Sequence, residues 1–208
     1  MKLSVSVLNS QNKQETIKIL NNSNIDYFHI DVMDGKFVSQ TSLPSEETIE
    51  LSKISNKKLD VHLMVEDPMS YIEQIKELSN IEYITIHLEI DKDIKLILNR
   101  IKEYGFKVGI SIKPNTDIKE LLPYLDNIGL ILIMTVEPGL GGQPFIETSP
   151  SRIKEIKELI KDRNILLEVD GGINNETIKK VSNVDISVVG SYITTSEEPL
   201  ERINNLLV

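Results

Sequence analysis

Asp31 and Asp170 each close a short apolar run with the pattern of a β-strand. The first run is Tyr27-Phe28-His29-Ile30-Asp31, leading into Val32-Met33-Asp34-Gly35; the second is Ile165-Leu166-Leu167-Glu168-Val169-Asp170, leading into Gly171-Gly172. Two carboxylates on opposite sides of a carbon next to a carbonyl can take a proton from one face and return one to the other, inverting that carbon. The three histidines, His29, His62 and His87, fall in similar runs. One histidine in a strand is usually a satisfied core residue, but three out of three at one rim point to a site. His29 and Asp31 are two residues apart and therefore share a face of their strand, with Met33 next on that face; Met64 stands in the same relation to His62. If the strands carrying His29 and His62 are neighbours, His29, Asp31 and His62 come within reach of one cation, and Asp170 can close the site from across the mouth. Two imidazoles with two carboxylates suit zinc, iron(II), manganese or cobalt better than magnesium or calcium.

Glycines form a second constellation. Pro138-Gly139-Leu140-Gly141-Gly142-Gln143, Gly171-Gly172 and Gly190-Ser191 each follow an apolar run. Glycine lets the backbone approach an anion closely. One such cluster is most often a turn, whereas three on adjacent loops favour a phosphate-bearing substrate.

Eight runs read as strands: Leu3 to Val7, Tyr27 to Asp31, Leu59 to Leu63, Tyr83 to His87, Lys107 to Ile112, Leu130 to Met134, Ile165 to Val169 and Ile186 to Val189. Between them lie amphipathic stretches. Examples are Pro68 to Leu78, with proline in its first turn, and Ser149 to Lys161, with Ile153, Ile156, Leu159 and Ile160 on one face. Alternating apolar strands and helices call for a parallel sheet, and eight units close into an α/β fold of the (β/α)8 TIM-barrel type, a single domain over residues 1–208. In that fold the site lies at the carboxyl ends of the strands. A doubly wound open sheet is disfavoured, because Val7-Leu8-Asn9-Ser10-Gln11 lacks the glycine-rich turn of a dinucleotide site.

Composition excludes other classes. A net charge of -9 is the wrong sign for nucleic acid as a partner, and no apolar run approaches the roughly 20 residues of a membrane span. With no secretory pattern at Met1-Lys2-Leu3-Ser4-Val5 and no cysteine, the expected location is the cytoplasm. Assembly into a homo-oligomer is left open.

In order along the chain, Ser6-Val7-Leu8-Asn9-Ser10, the segment His29 to Val38, Asp60-Val61-His62-Leu63-Met64-Val65, His87-Leu88-Glu89, Lys113-Pro114-Asn115-Thr116, the segment Met134 to Ile146, Glu168 to Ile173 and Val189-Gly190-Ser191 resemble the ribulose-phosphate 3-epimerase family. The resemblance implies a TIM barrel that inverts C3 of D-ribulose 5-phosphate to give D-xylulose 5-phosphate. It implies one divalent metal held by His29, Asp31, His62 and Asp170, with the two aspartates moving the proton through a metal-stabilised enediolate. It further implies substrate contacts from Ser6 and His62, and a reacting carbon lined by Met33, Met64 and Met134. Phosphate contacts are implied from Gly139, Leu140, Gly141 and Gly142, from Gly171 and Gly172, and from Gly190 and Ser191. The chain departs from the family at Ser39-Gln40, where Pro-Asn is usual, at Leu140, where phenylalanine is usual, and at Thr194, where an aromatic is common. Two alternatives stand beside this reading: a 3-epimerase for D-allulose 6-phosphate using nearly the same residues, and a barrel that only binds sugar phosphates. A decarboxylase of the same fold would need a lysine where Met33 stands.

Overall fold

All eight apolar runs become parallel strands in the computed structural model, which describes residues 1–207. They are β1 (Lys2–Ser6), β2 (Tyr27–Asp34), β4 (Lys58–Met64), β5 (Ile81–His87), β6 (Lys107–Ile112), β7 (Leu130–Met134), β8 (Leu166–Asp170) and β9 (Ile186–Val189). Pairing runs β1-β9-β8-β7-β6-β5-β4-β2 and closes through β1–β2, giving a single-domain (β/α)8 barrel. A ninth strand, the two-residue β3 (Thr41–Ser42), pairs antiparallel with the end of β2.

Strand parity assigns the two faces. Outward positions such as Phe28, Ile30, Val61, Leu63, Ile131 and Ile133 form one cluster with the inner faces of the surrounding helices: Ile17 and Leu20 of α1 (Lys13–Leu20), Leu51 of α2 (Ser45–Ile54), Ile72 and Ile75 of α3 (Pro68–Ile75), Ile97, Leu98 and Ile101 of α4 (Ile94–Glu103), and Ile153 and Ile156 of α5 (Ser149–Leu159). Truncating one of these fully buried residues to alanine costs about 2–5 kcal/mol. The inward positions divide into two kinds. Tyr27, Tyr83, Leu130, Leu132 and Ile186 belong to an apolar cluster inside the barrel, while Ser4, His29, Asp60, His62, Thr85, His87, Ser111 and Glu168 are buried polar groups.

Boundaries depart from the sequence-based expectation where local pairing intervenes. β2 continues past Asp31 because Met33 and Asp34 pair with Ser42 and Thr41, so Asp31 lies within its strand, whereas Asp170 does end β8. α3 stops at Ile75, short of Leu78, and α5 stops at Leu159, with Ile160 outside helical geometry. Two connections are 3-10 turns in place of α-helices. The one at Ile118–Tyr124 contains Pro123, which has no N–H to continue an α-helical ladder, and the other, Thr177–Val181, is only five residues long. Among the described residues no helix is long and apolar enough to cross a membrane.

Candidate active site

The carboxyl ends of the strands surround a cavity of about 610 Å³. Its wall includes Ser6 from β1, Asp31 and Met33 from β2, Met64 from β4, Met134 from β7 and Asp170 from β8. The loops add Gly139, Leu140, Gly141 and Gly142, then Gly171 and Gly172, then Gly190 and Ser191, so every glycine cluster singled out in the sequence reaches one cavity. Close packing requires some of these glycines. A Cβ on Gly172, at φ +66°, would lie 2.5 Å from the Phe145 backbone nitrogen, and one on Gly171 would lie 2.4 Å from Val136 Cγ2. Leu140 is 58% exposed at the lip.

His29 and His62 are fully buried and lie behind this wall. The register of β2 with β4 sets Asp31 beside His62 and His29 beside Asp60. One ligating atom from each of His29, Asp31, His62 and Asp170 falls within 4.8 Å of the others. Asp31 Oδ1 is 3.4 Å from both His29 Nε2 and His62 Nδ1, and Asp170 Oδ2 is 4.0 Å from His62 Nδ1. His29 Nδ1 bonds to Asp60 Oδ2 at 2.7 Å, which leaves His29 Nε2 buried without a hydrogen-bond partner and directed at the cluster. An orphaned imidazole nitrogen beside two carboxylates and a second imidazole is a donor set that fits a divalent transition metal.

Charge states follow from these surroundings. Burial alone would depress His29, but in the metal-free chain the carboxylates of Asp31 and Asp60 overcome it and hold the imidazole well above its ordinary value; a cation taken up at Nε2 would displace that proton. Burial likewise opposes ionisation of Asp31, yet in the metal-free chain His29 brings it below the usual carboxylate range, and Ser6 Oγ donates to its Oδ2 at 2.6 Å. Asp170 is the reverse: burial and the charge of Asp31 push it up to about 7. Burial keeps His62 neutral.

Sequence reasoning missed Asp60 and Glu168. Both are fully buried, and Ser4 Oγ donates to Asp60 Oδ2 at 2.9 Å. Glu168 is held protonated by burial and by Asp60, which is itself lowered. The available signal was spacing, since Asp60 precedes His62 by two and Glu168 precedes Asp170 by two, placing each on the inward face of its strand.

Carboxylates and buried imidazoles gathered at a cavity on the carboxyl ends of the strands of a (β/α)8 barrel mark the position of an enzyme active site. Comparison with known proteins narrows the class of enzyme. The profile of the ribulose-phosphate 3 epimerase family matches residues 1–194, and the chain belongs to this family, whose members are isomerases acting on carbohydrates. A ribulose-phosphate 3-epimerase of Helicobacter pylori strain J99 is 37% identical over 210 residues, covering 99% of this chain and 96% of the relative. The enzyme of that name from Aquifex aeolicus is 39% identical over 176 residues, covering 81% and 77%. Among solved structures, Mycobacterium tuberculosis tryptophan synthase superposes with a TM-score of 0.71 at 14% identity, covering 99% of this chain and 89% of that one; this likeness is one of fold.

Proposed function

We propose that the chain interconverts D-ribulose 5-phosphate and D-xylulose 5-phosphate by inversion at C3, with Asp31 and Asp170 as the two proton carriers. The observation that carries this reading is the placement of both carboxylates in the wall of one cavity at the carboxyl ends of the strands. In the metal-free chain Asp31 lies below the usual carboxylate range, beside His29 and the Ser6 hydroxyl, and Asp170 is raised to about 7, directions that suit a proton acceptor and a proton donor. Asp31 Oδ1 and Asp170 Oδ2 turn toward the histidines, and Asp31 Oδ2 accepts from Ser6 Oγ. In the reverse reaction the two residues exchange roles.

His29 Nε2, Asp31, His62 Nδ1 and Asp170 would hold one divalent cation, with zinc, iron(II), manganese and cobalt suited to the donors. When bound, such a cation supplies Lewis acidity to the substrate oxygen on which the enediolate charge develops, usually worth several kcal/mol. Met33, Met64 and Met134 make the adjoining wall apolar and shield the reacting carbon from water without offering a competing acid. Backbone groups of Gly139 to Gly142, of Gly171 and Gly172, and of Gly190 and Ser191 are suited to the substrate phosphate, with Ser6 nearer the reacting end. His62 acts from behind the wall, through the cation and Asp31.

The direct test is conversion of D-ribulose 5-phosphate to D-xylulose 5-phosphate by the purified, metal-loaded protein, measured beside D-allulose 6-phosphate. This reading expects the pentose phosphate to have the higher kcat/KM. Preference for the hexose phosphate would move the assignment to that epimerase, and no turnover of either would leave a binding barrel.

A further inference from the structure

His62 makes a second contact that the reaction as described leaves unexplained. Its Nε2 is 2.9 Å from Nε2 of His87, and His87 Nδ1 is in turn 3.0 Å from Glu89 Oε2. The other Glu89 oxygen, Oε1, accepts from the backbone N–H of Lys113 at 2.7 Å and from Thr116 Oγ1 at 2.5 Å, so the carboxylate is fixed in place. Phe37 packs against the His87 ring, with centroids 4.7 Å apart. Both imidazoles are fully buried.

Two imidazoles that meet nitrogen to nitrogen need one proton between them. A proton on His87 Nε2 would leave His87 Nδ1 as a lone pair facing the Glu89 carboxylate, two acceptors at 3.0 Å. The Glu89 contact, at 3.0 Å, is closer than the 3.4 Å from His62 Nδ1 to Asp31 Oδ1, and therefore dictates the arrangement. His87 carries its proton on Nδ1 and accepts at Nε2, His62 carries its proton on Nε2, and His62 Nδ1 is left as a lone pair toward Asp31 and Asp170. His29 reaches the equivalent state more directly, through the bond from Nδ1 to Asp60.

We propose that His87 and Glu89 are positioning residues for the cation site, a relay that fixes the tautomer and ring orientation of His62 so that its Nδ1 is available as a ligand. The inference rests on the cation reading given above. A packing role alone does not account for it, because an apolar side chain at position 87 would fill the same space without selecting a tautomer.

The test uses zinc affinity of the full-length apoprotein by competition titration, together with the His62 tautomer from long-range proton–nitrogen NMR. In Glu89→Gln the side-chain carbonyl can still accept from Lys113 and Thr116, but the amide N–H2 faces His87 Nδ1 and reverses both tautomers. Zinc affinity should fall about 10–100-fold, the usual effect of removing a hydrogen-bond partner from a ligating histidine, and His62 should carry its proton on Nδ1. His87→Leu should lose affinity similarly, and His87→Gln, which restores an acceptor for His62, should recover most of it. Zinc binding by Glu89→Gln within twofold of the unaltered protein, or equal binding by the Leu and Gln variants at position 87, would overturn the relay. If a variant does not fold, the unaltered apoprotein decides: Nε2–H on His62 with Nδ1–H on His87 supports the proposal, and Nδ1–H on His62 contradicts it. An unaltered protein that takes up no zinc, iron(II), manganese or cobalt refutes the cation reading itself, and the relay with it.

Discussion

Asp31 and Asp170 contribute the same side chain to the same cavity and lie in opposite surroundings. Asp31 sits between β1 and β4, where it receives the Ser6 hydroxyl and pairs in register with His62. Asp170 sits between β7 and β9, in register with Met134 and Val188, and meets Asp31 as a like charge. Register thus gives one carboxyl donors and imidazoles, and gives the other apolar neighbours and a repelling anion. One is held ionised and the other is raised to about 7. In the metal-free chain two identical residues are shifted in opposite directions by what the adjacent strands place beside them, the contrast on which the proposed base and acid roles rest.

Removing either partner should have the largest effect. Asp31→Asn or Asp170→Asn is expected to lower kcat by about 10³-fold or more, since general acid–base steps contribute 10²–10⁴-fold and each variant also loses an anionic ligand. Steady-state assays of metal-loaded variants check this, and near-normal turnover by either would separate that residue from proton transfer. Next in size, chelation should reduce activity by at least about 10²-fold, with recovery on adding zinc, iron(II), manganese or cobalt. Full activity in protein shown to be metal-free by elemental analysis would rule out a cation role. Asp60→Asn, which weakens the backing of His29, should reduce metal affinity by about 10–100-fold while leaving the cavity wall intact.

The contrast also predicts opposite effects on stability. Asp170 binds its proton more tightly in the folded chain, at about 7 against an ordinary 3.8, so its contribution is present below 3.8 and is lost as pH rises through 7. Asp31 is lowered, so its contribution is present above 3.8 and is lost as pH falls through its folded value. In metal-free protein at pH 8, Asp170→Asn should therefore raise the denaturation midpoint and Asp31→Asn should lower it. Urea titration at pH 8 and at pH 5 checks both signs, and the gain from Asp170→Asn should shrink at the lower pH. The smallest effect is expected from Ser6→Ala, which removes one donor from Asp31. Loss of a hydrogen bond to a charged group should move the acidic limb of the pH–rate profile upward and cost about tenfold or somewhat more in kcat/KM.

The positions of His29, Asp31, His62 and Asp170 were legible in the sequence because a strand presents every second residue to one face and the apolar runs were long enough to fix that parity. The same rule applied to His62 and Asp170 reaches Asp60 and Glu168, but acids within apolar strands carry no distinguishing motif until a partner is known. The contrast between the two aspartates was not legible, since it depends on register: neither Ser6 nor Val188 is near its aspartate in sequence. The antiparallel β3 was too short to leave a pattern, and the 3-10 turns share the apolar spacing of the helices they replace. Fold class survived these local misses because closure of the barrel depends on the eight parallel strands.

The central claim is that two separate groups handle the C3 proton, Asp31 on β2 and Asp170 on β8, with β1 and β9 between them. Epimerisation of unlabelled D-ribulose 5-phosphate in D2O, stopped within the first turnovers and read by NMR or mass spectrometry, tests it most directly. A proton delivered from a second carboxyl that has exchanged with solvent should put deuterium at C3 of the earliest D-xylulose 5-phosphate formed. Early product that keeps most of its original C3 hydrogen would mean that one base serves both faces, contradicting the division of roles between Asp31 and Asp170.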